Sequence, residues 1–168
     1  VIERLAKGGV KIAALTNGSN LKGKVADAFA QHGTWVRIST DGWDDESFSR
    51  IRGVERGAFT KIINNLRDFT ARGSKCVLGI SFIVCKENYQ HIYDACVLLK
   101  DAGVNHVSLS GVVVSNKGAE NNAYHRDIRE SVFAQIGKAY ELVDESFSIV
   151  NHYHDLDERF DKTYTMCP

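Results

Sequence analysis

A chain of 168 residues, 43% apolar and 25% charged, has the size and make-up of one ordinary globular domain. Its 21 basic and 21 acidic side chains balance to a formal charge of +0, which gives no reason to expect nucleic acid or an anionic membrane as a partner. No apolar run approaches the ~18 residues of a membrane-spanning helix, and Val1-Ile2-Glu3-Arg4 opens an amphipathic pattern rather than a signal peptide.

Residues 1–7 read as the tail of a helix, so a piece of a longer chain is expected. One unit then recurs: a helical stretch ends in glycine and a β-rich apolar run follows. It occurs at Gly8-Gly9 before 10–15, at Gly33 before 35–39, at Gly73 before 76–85 and at Gly103 before 106–114. Glycine just past a helix takes the left-handed cap without a Cβ penalty. The near-continuous apolar runs predict strands covered on both faces. Successive units of crossover length predict a parallel sheet with right-handed crossovers.

In chain order, a helix is expected over 21–31, with Leu21, Val25, Ala28 and Phe29 on one face. The strand at 35–39 stops abruptly in Ser39-Thr40-Asp41-Gly42. Ligands of α/β folds sit beyond the carboxyl ends of strands, and side chains two residues apart point the same way. Ser39 and Asp41 therefore suit the hydroxyls of a ribose or the ammonium of an amino acid, although Asp41-Gly42 equally suits a plain turn. A short helix, capped by Asp44, runs to Arg52-Gly53. A stronger one covers 58–71, with Phe59, Ile62, Ile63, Leu66 and Phe69 as its apolar stripe. Asn88 is placed to cap a helix over 89–101. A polar loop follows at 115–122 on the ligand side, then a helix over 128–143 and a final strand over 146–150. Four such β/α units fit either an open doubly wound sheet or part of a barrel; the helical start at Val1 favours the barrel.

Taken together, several stretches resemble the radical SAM superfamily, close to its peptide-modifying members with C-terminal SPASM or twitch extensions. These are Leu15-Thr16-Asn17-Gly18; Arg37-Ile38-Ser39-Thr40-Asp41-Gly42; Ile51-Arg52-Gly53 with Phe59, Ile62 and Asn65; Ile83-Val84 with Asn88; and residues 98–104 before the next strand. The resemblance implies a partial (β/α)6 TIM-like barrel, with about four of its six units here. Residues 1–150 would be the core and 151–168 the start of an extension. It implies an enzyme that cleaves S-adenosylmethionine reductively, using a [4Fe–4S] cluster. The family's Cys-x3-Cys-x2-Cys cluster loop is missing from this chain, so the cluster ligands would lie outside it and the chain alone would be inactive. By the same resemblance, Ser39 and Arg52 contact S-adenosylmethionine and the backbone at Val113 lies along the adenine. Asp41, Thr16 and Asn17 are polar neighbours. A peptide or small-molecule substrate and an electron donor such as a flavodoxin or ferredoxin are implied partners.

Cysteines stand at 76, 85, 96 and 167. The first three lie in apolar runs and read as reduced core residues, hence a cytoplasmic protein. Cys167 is a candidate ligand for an auxiliary cluster. His152-Tyr153-His154 has the spacing of half a metal site or of a polar edge. Two other functional classes fit the pattern less well. An aldolase-like or phosphate-binding barrel would want a strand-end lysine or a glycine-rich loop. A non-catalytic α/β interaction module would resemble a receiver domain, whose acidic cluster is lacking.

Overall fold

The computed structural model describes residues 1–159 and 161. Five parallel strands form one sheet in the order β1-β2-β3-β4-β5: β1 Ile12–Thr16, β2 Gly33–Ser39, β3 Val77–Val84, β4 His106–Gly111 and β5 Ser148–His152. Each crossover moves one place in the same direction. A doubly wound sheet must reverse that direction, so this order decides for the barrel type of winding. The expected final strand is a full member of the sheet, β5, and runs two residues later than expected.

The helices are α1 Ile2–Lys7, α2 Gly23–His32, α3 Asp45–Arg52, α4 Ala58–Thr70, α5 Ile92–Asp101, α6 Gly118–Arg126 and α7 Arg129–Tyr140, with a 3₁₀ turn at Tyr89–His91. They cover one face of the sheet. Val36, Ile38, Leu78, Ile80, Phe82, Val84, Val107 and Leu109 are buried against them. On α4 the expected stripe of Phe59, Ile62, Ile63, Leu66 and Phe69 is wholly buried, each side chain contributing roughly 1.5–3 kcal/mol.

The other face is open, contrary to the expectation of strands covered twice. Leu15 there is 73% exposed and Trp35, Val77 and Val150 are exposed too. This face bears Arg37, Ser39, Ser81, His106 and Ser110, so strict apolar runs hold only for the helix side. The loop expected at 115–122 is shorter, because α6 already starts at Gly118.

Two glycines divide on the cap reading. Gly103 does take the left-handed conformation at φ 81°. Gly33 does not: it opens β2 at φ −73°. A Cβ there would sit 2.6 Å from the Phe29 carbonyl oxygen and 2.7 Å from Cys76 Sγ, so closeness to α2 requires the glycine. No described helix is long and apolar enough to cross a membrane.

Candidate functional site

The strand tips of β1 and β2 meet α3 and α4 around a cavity of about 620 Å³, lined by Asn17, Ser39, Phe48, Arg52, Lys61 and Ile62 among others. Its centre is Arg52. Asp44 places that residue by starting α3 in a capping box: its carboxylate accepts from the Ser47 N–H at 2.7 Å, and Ser47 Oγ accepts from the Asp44 N–H at 3.1 Å. Gly53, at φ 64°, ends the helix just beyond Arg52.

Arg52 Nη2 donates to Ser39 Oγ at 2.7 Å and lies 2.5 Å from Asp41 Oδ2. Both hydrogens of Nη2 are thereby used, which leaves Nη1 and Nε for a ligand. Ser39 acts there as an acceptor, so its own O–H remains free to donate. Asp41 is buried, and its Oδ1 accepts from the Ile83 N–H at 2.8 Å. Burial raises the Asp41 carboxyl above its ordinary range, against the opposing pull of the Ile83 N–H and Arg52. With both carboxylate oxygens held by protein, Asp41 positions the guanidinium.

Asn88 is fully buried behind this pair. It donates to the Asp41 carbonyl at 3.0 Å and the Ile83 carbonyl at 2.8 Å, and accepts from the Cys85 N–H at 2.8 Å. The expected helix cap is therefore a strand-tip clamp instead; no side-chain cap forms at the 3₁₀ turn. Asn65, on α4, donates to the Gly18 and Ser19 carbonyls at 2.9 and 3.1 Å. That fixes the β1 exit turn. Within the turn, Thr16 Oγ1 accepts from the Gly18 N–H and Asn17 Oδ1 from the Ser19 N–H. Asn17 lines the cavity and Thr16 does not.

Val113 stands apart. It is 68% exposed and lines a second, smaller cavity of about 250 Å³ past β4, with His125, His152, Tyr153 and His154. His125 Nε2 lies 2.9 Å from the Val112 carbonyl and Nδ1 3.2 Å from Tyr153 Oη. A carbonyl only accepts, so Nε2 carries the proton and Tyr153 donates to Nδ1. His152 and His154 do share this cavity. Among the described residues, however, no group of three or more His, Cys, Asp or Glu side chains is placed to hold a metal. Cys76 and Cys96 are core residues as expected, whereas Cys85 is half-buried at the β3 exit. Burial pushes the Cys85 thiol up to about 11 and Cys96 up to about 12. Cys167 lies outside the described residues.

Pattern reading misses Lys61, Asn20, Lys22 and Asn64 at the cavity rim. Lys61 alone carries a signal, since it stands beside Ile62 on the polar side of a strongly amphipathic helix.

A one-way parallel sheet with ligand-ready polar tips at its carboxyl ends defines an α/β barrel-type binding domain. Comparison with known proteins sharpens this. The profile of the Radical SAM superfamily matches residues 1–97. Pre-heme d1 synthase of Dinoroseobacter shibae is 31% identical over 134 residues, spanning 77% of this chain and 32% of the synthase. SuiB of Streptococcus suis, in a crystal structure bound to S-adenosylmethionine, superposes with a TM-score of 0.65 at 14% identity over 90% of this chain and 35% of SuiB. Archaeal TYW1 gives a TM-score of 0.51 at 19% identity, over 77% of this chain and 43% of TYW1. The chain belongs to the radical SAM superfamily. It spans about a third of the length of the synthase and of SuiB.

Proposed function

We propose that this chain forms the S-adenosylmethionine-binding part of a radical SAM enzyme. The observation that carries the proposal is Arg52. Its Nη2 is held by Ser39 and Asp41, which fixes the guanidinium and leaves Nη1 and Nε as separate donors on different edges. A fixed guanidinium with N–H donors to spare suits a carboxylate, here that of the methionine moiety. The free O–H of Ser39 serves a ribose oxygen. The Asn17 amide, whose Nδ2 is not engaged by the turn, offers a further donor at the same cavity. Thr16 acts through the turn, and Val113, which lines the second cavity, is assigned to the adenine by the family resemblance alone. A cavity of about 620 Å³ suits a ligand of this size.

The residues described here do not fit a [4Fe–4S] cluster. No group of three or more ligating side chains is present among them. The cluster ligands are therefore assigned to chain outside these residues. When bound beside a reduced cluster, S-adenosylmethionine supplies a 5′-deoxyadenosyl radical for hydrogen abstraction. This chain's share is to bind, orient and shield that ligand. A flavodoxin- or ferredoxin-like electron donor and a cytoplasmic location belong to the same reading. SuiB has been solved bound to a precursor peptide, which supports a peptide as substrate. The radical SAM assignment leaves the aldolase-like and interaction-module alternatives without support.

The test is S-adenosylmethionine binding to the intact, cluster-reconstituted protein, with 5′-deoxyadenosine as product. Arg52→Gln is expected to weaken binding about tenfold or more, the size of a lost charge-assisted pair. Binding unchanged in that variant, or no 5′-deoxyadenosine from the wild type, overturns the reading.

A further inference from the structure

The five strands carry no aspartate or glutamate, and their one permanently charged residue is Arg37. It sits on the open face of the sheet, since its neighbours Val36 and Ile38 are buried on the helix side. Its Nε is out of contact with solvent and has no hydrogen-bond partner among the described residues. An unmet donor on a cation is costly to keep in a fold. Its Cζ lies 5.7 Å from the centre of the Trp35 ring.

The neighbours in register explain why no internal partner reaches it. Arg37 pairs with Gly79 and Gly79 with His106, and the His106 ring lies over the place a Gly79 side chain would fill. Burial, and the charge of Arg37, lower the pKa of His106. Arg37 is then the cation on which these strands depend for any anion they hold. One step toward the strand tips, Ser39, Ser81 and Ser108 stand side by side in register. A lone guanidinium beside a row of hydroxyls, with no carboxylate on any strand, is an arrangement for receiving oxyanions.

We propose that Arg37, with Ser81 and Ser108, forms a carboxylate-binding site on the inner face of the sheet, which anchors an acidic group of the substrate. This rests on the reading above insofar as the bound molecule is the substrate of a radical SAM enzyme. The site is separate from Arg52, whose guanidinium serves the cofactor cavity.

Radiolabelled succinate, at constant ionic strength, is the probe. Equilibrium dialysis uses the intact protein saturated with S-adenosylmethionine, so that Arg52 is occupied. Saturable succinate binding is expected. Arg37→Gln should weaken it about tenfold or more while S-adenosylmethionine binding is unchanged, and Arg37→Lys, which keeps the charge but loses the fork, should fall between. Ser108→Ala gives a second, milder loss should Arg37→Gln fail to fold. No saturable binding in the wild type, or equal binding in Arg37→Gln, overturns the site. Succinate binding that survives where S-adenosylmethionine fails to bind leaves the site standing and removes the cofactor reading instead.

Discussion

Asn88 Nδ2 donates to the Asp41 carbonyl oxygen over 3.0 Å, and so ties the exit of β2 to the exit of β3. The same amide also serves Ile83 and Cys85. Three backbone groups at the ends of β2 and β3 thus depend on one side chain. Asn88→Ala would leave all of them without that partner in a buried setting. We expect a loss of about 3 kcal/mol from three bonds of ordinary strength. Urea unfolding of the variant would measure it, and a loss below ~1 kcal/mol would show that water replaces the amide.

Asp41 gives the site a pH dependence of definite sign. Burial raises its folded pKa above the ordinary 3.8. Between that value and the folded one, the native state binds more protons than the unfolded state, so Asp41's contribution to stability declines as pH rises through the window. Asp41→Asn, which retains an acceptor for the Ile83 N–H, should flatten this slope. The variant should also weaken S-adenosylmethionine binding about tenfold, since Arg52 loses its charged anchor. A carbon NMR titration of the Asp41 carboxyl checks the first part; a midpoint at or below 3.8 would contradict it.

The helix that carries Arg52 depends on its start. Ser47 Oγ accepts from the N–H groups of both Trp43 and Asp44. Ser47→Ala removes half of the capping box, at a cost of about 1 kcal/mol. Ser47→Thr should recover most of it. Thermal unfolding separates the two variants.

Much of this arrangement is legible in the sequence, and what is not has a physical reason. Ser39 and Arg52 are adjacent in space because the strand-tip and helix motifs are local patterns with fixed geometry. The winding direction of the sheet is a long-range property, and periodicity in a single unit carries no trace of it. Asn88 illustrates a different limit: an asparagine before a helix reads as a cap, yet here the Asp41 and Ile83 carbonyls compete for its amide. β5 is short and mostly exposed at its edge, so its apolar signal is thin. Arg37 is half-buried, and only the register of three strands shows why its Nε meets no partner among the described residues.

Gly42 and Gly137 predict opposite outcomes for one and the same substitution. Read as sequence, Gly42 is a turn former after Asp41. In the structure its φ is not positive; a Cβ there would lie 2.8 Å from the Phe48 Cα and 2.9 Å from the Phe48 nitrogen. That obstacle is helix backbone, which cannot rotate away as a flexible side chain would. Gly42→Ala must push α3 outward, and Phe48 is a core residue that lies one helical turn before Arg52. The expected cost is about 1–3 kcal/mol from overpacking, with a further loss of S-adenosylmethionine affinity because Arg52 moves relative to Ser39. Gly137 lies inside α7 with open space around its Cα. Gly137→Ala should stabilise the protein by about 0.5–1 kcal/mol, through helix propensity alone, and leave binding untouched. Unfolding and binding measured on both variants separate close approach from backbone freedom. If Gly42→Ala bound the cofactor as the wild type does, α3 would not be the element that sets the position of Arg52.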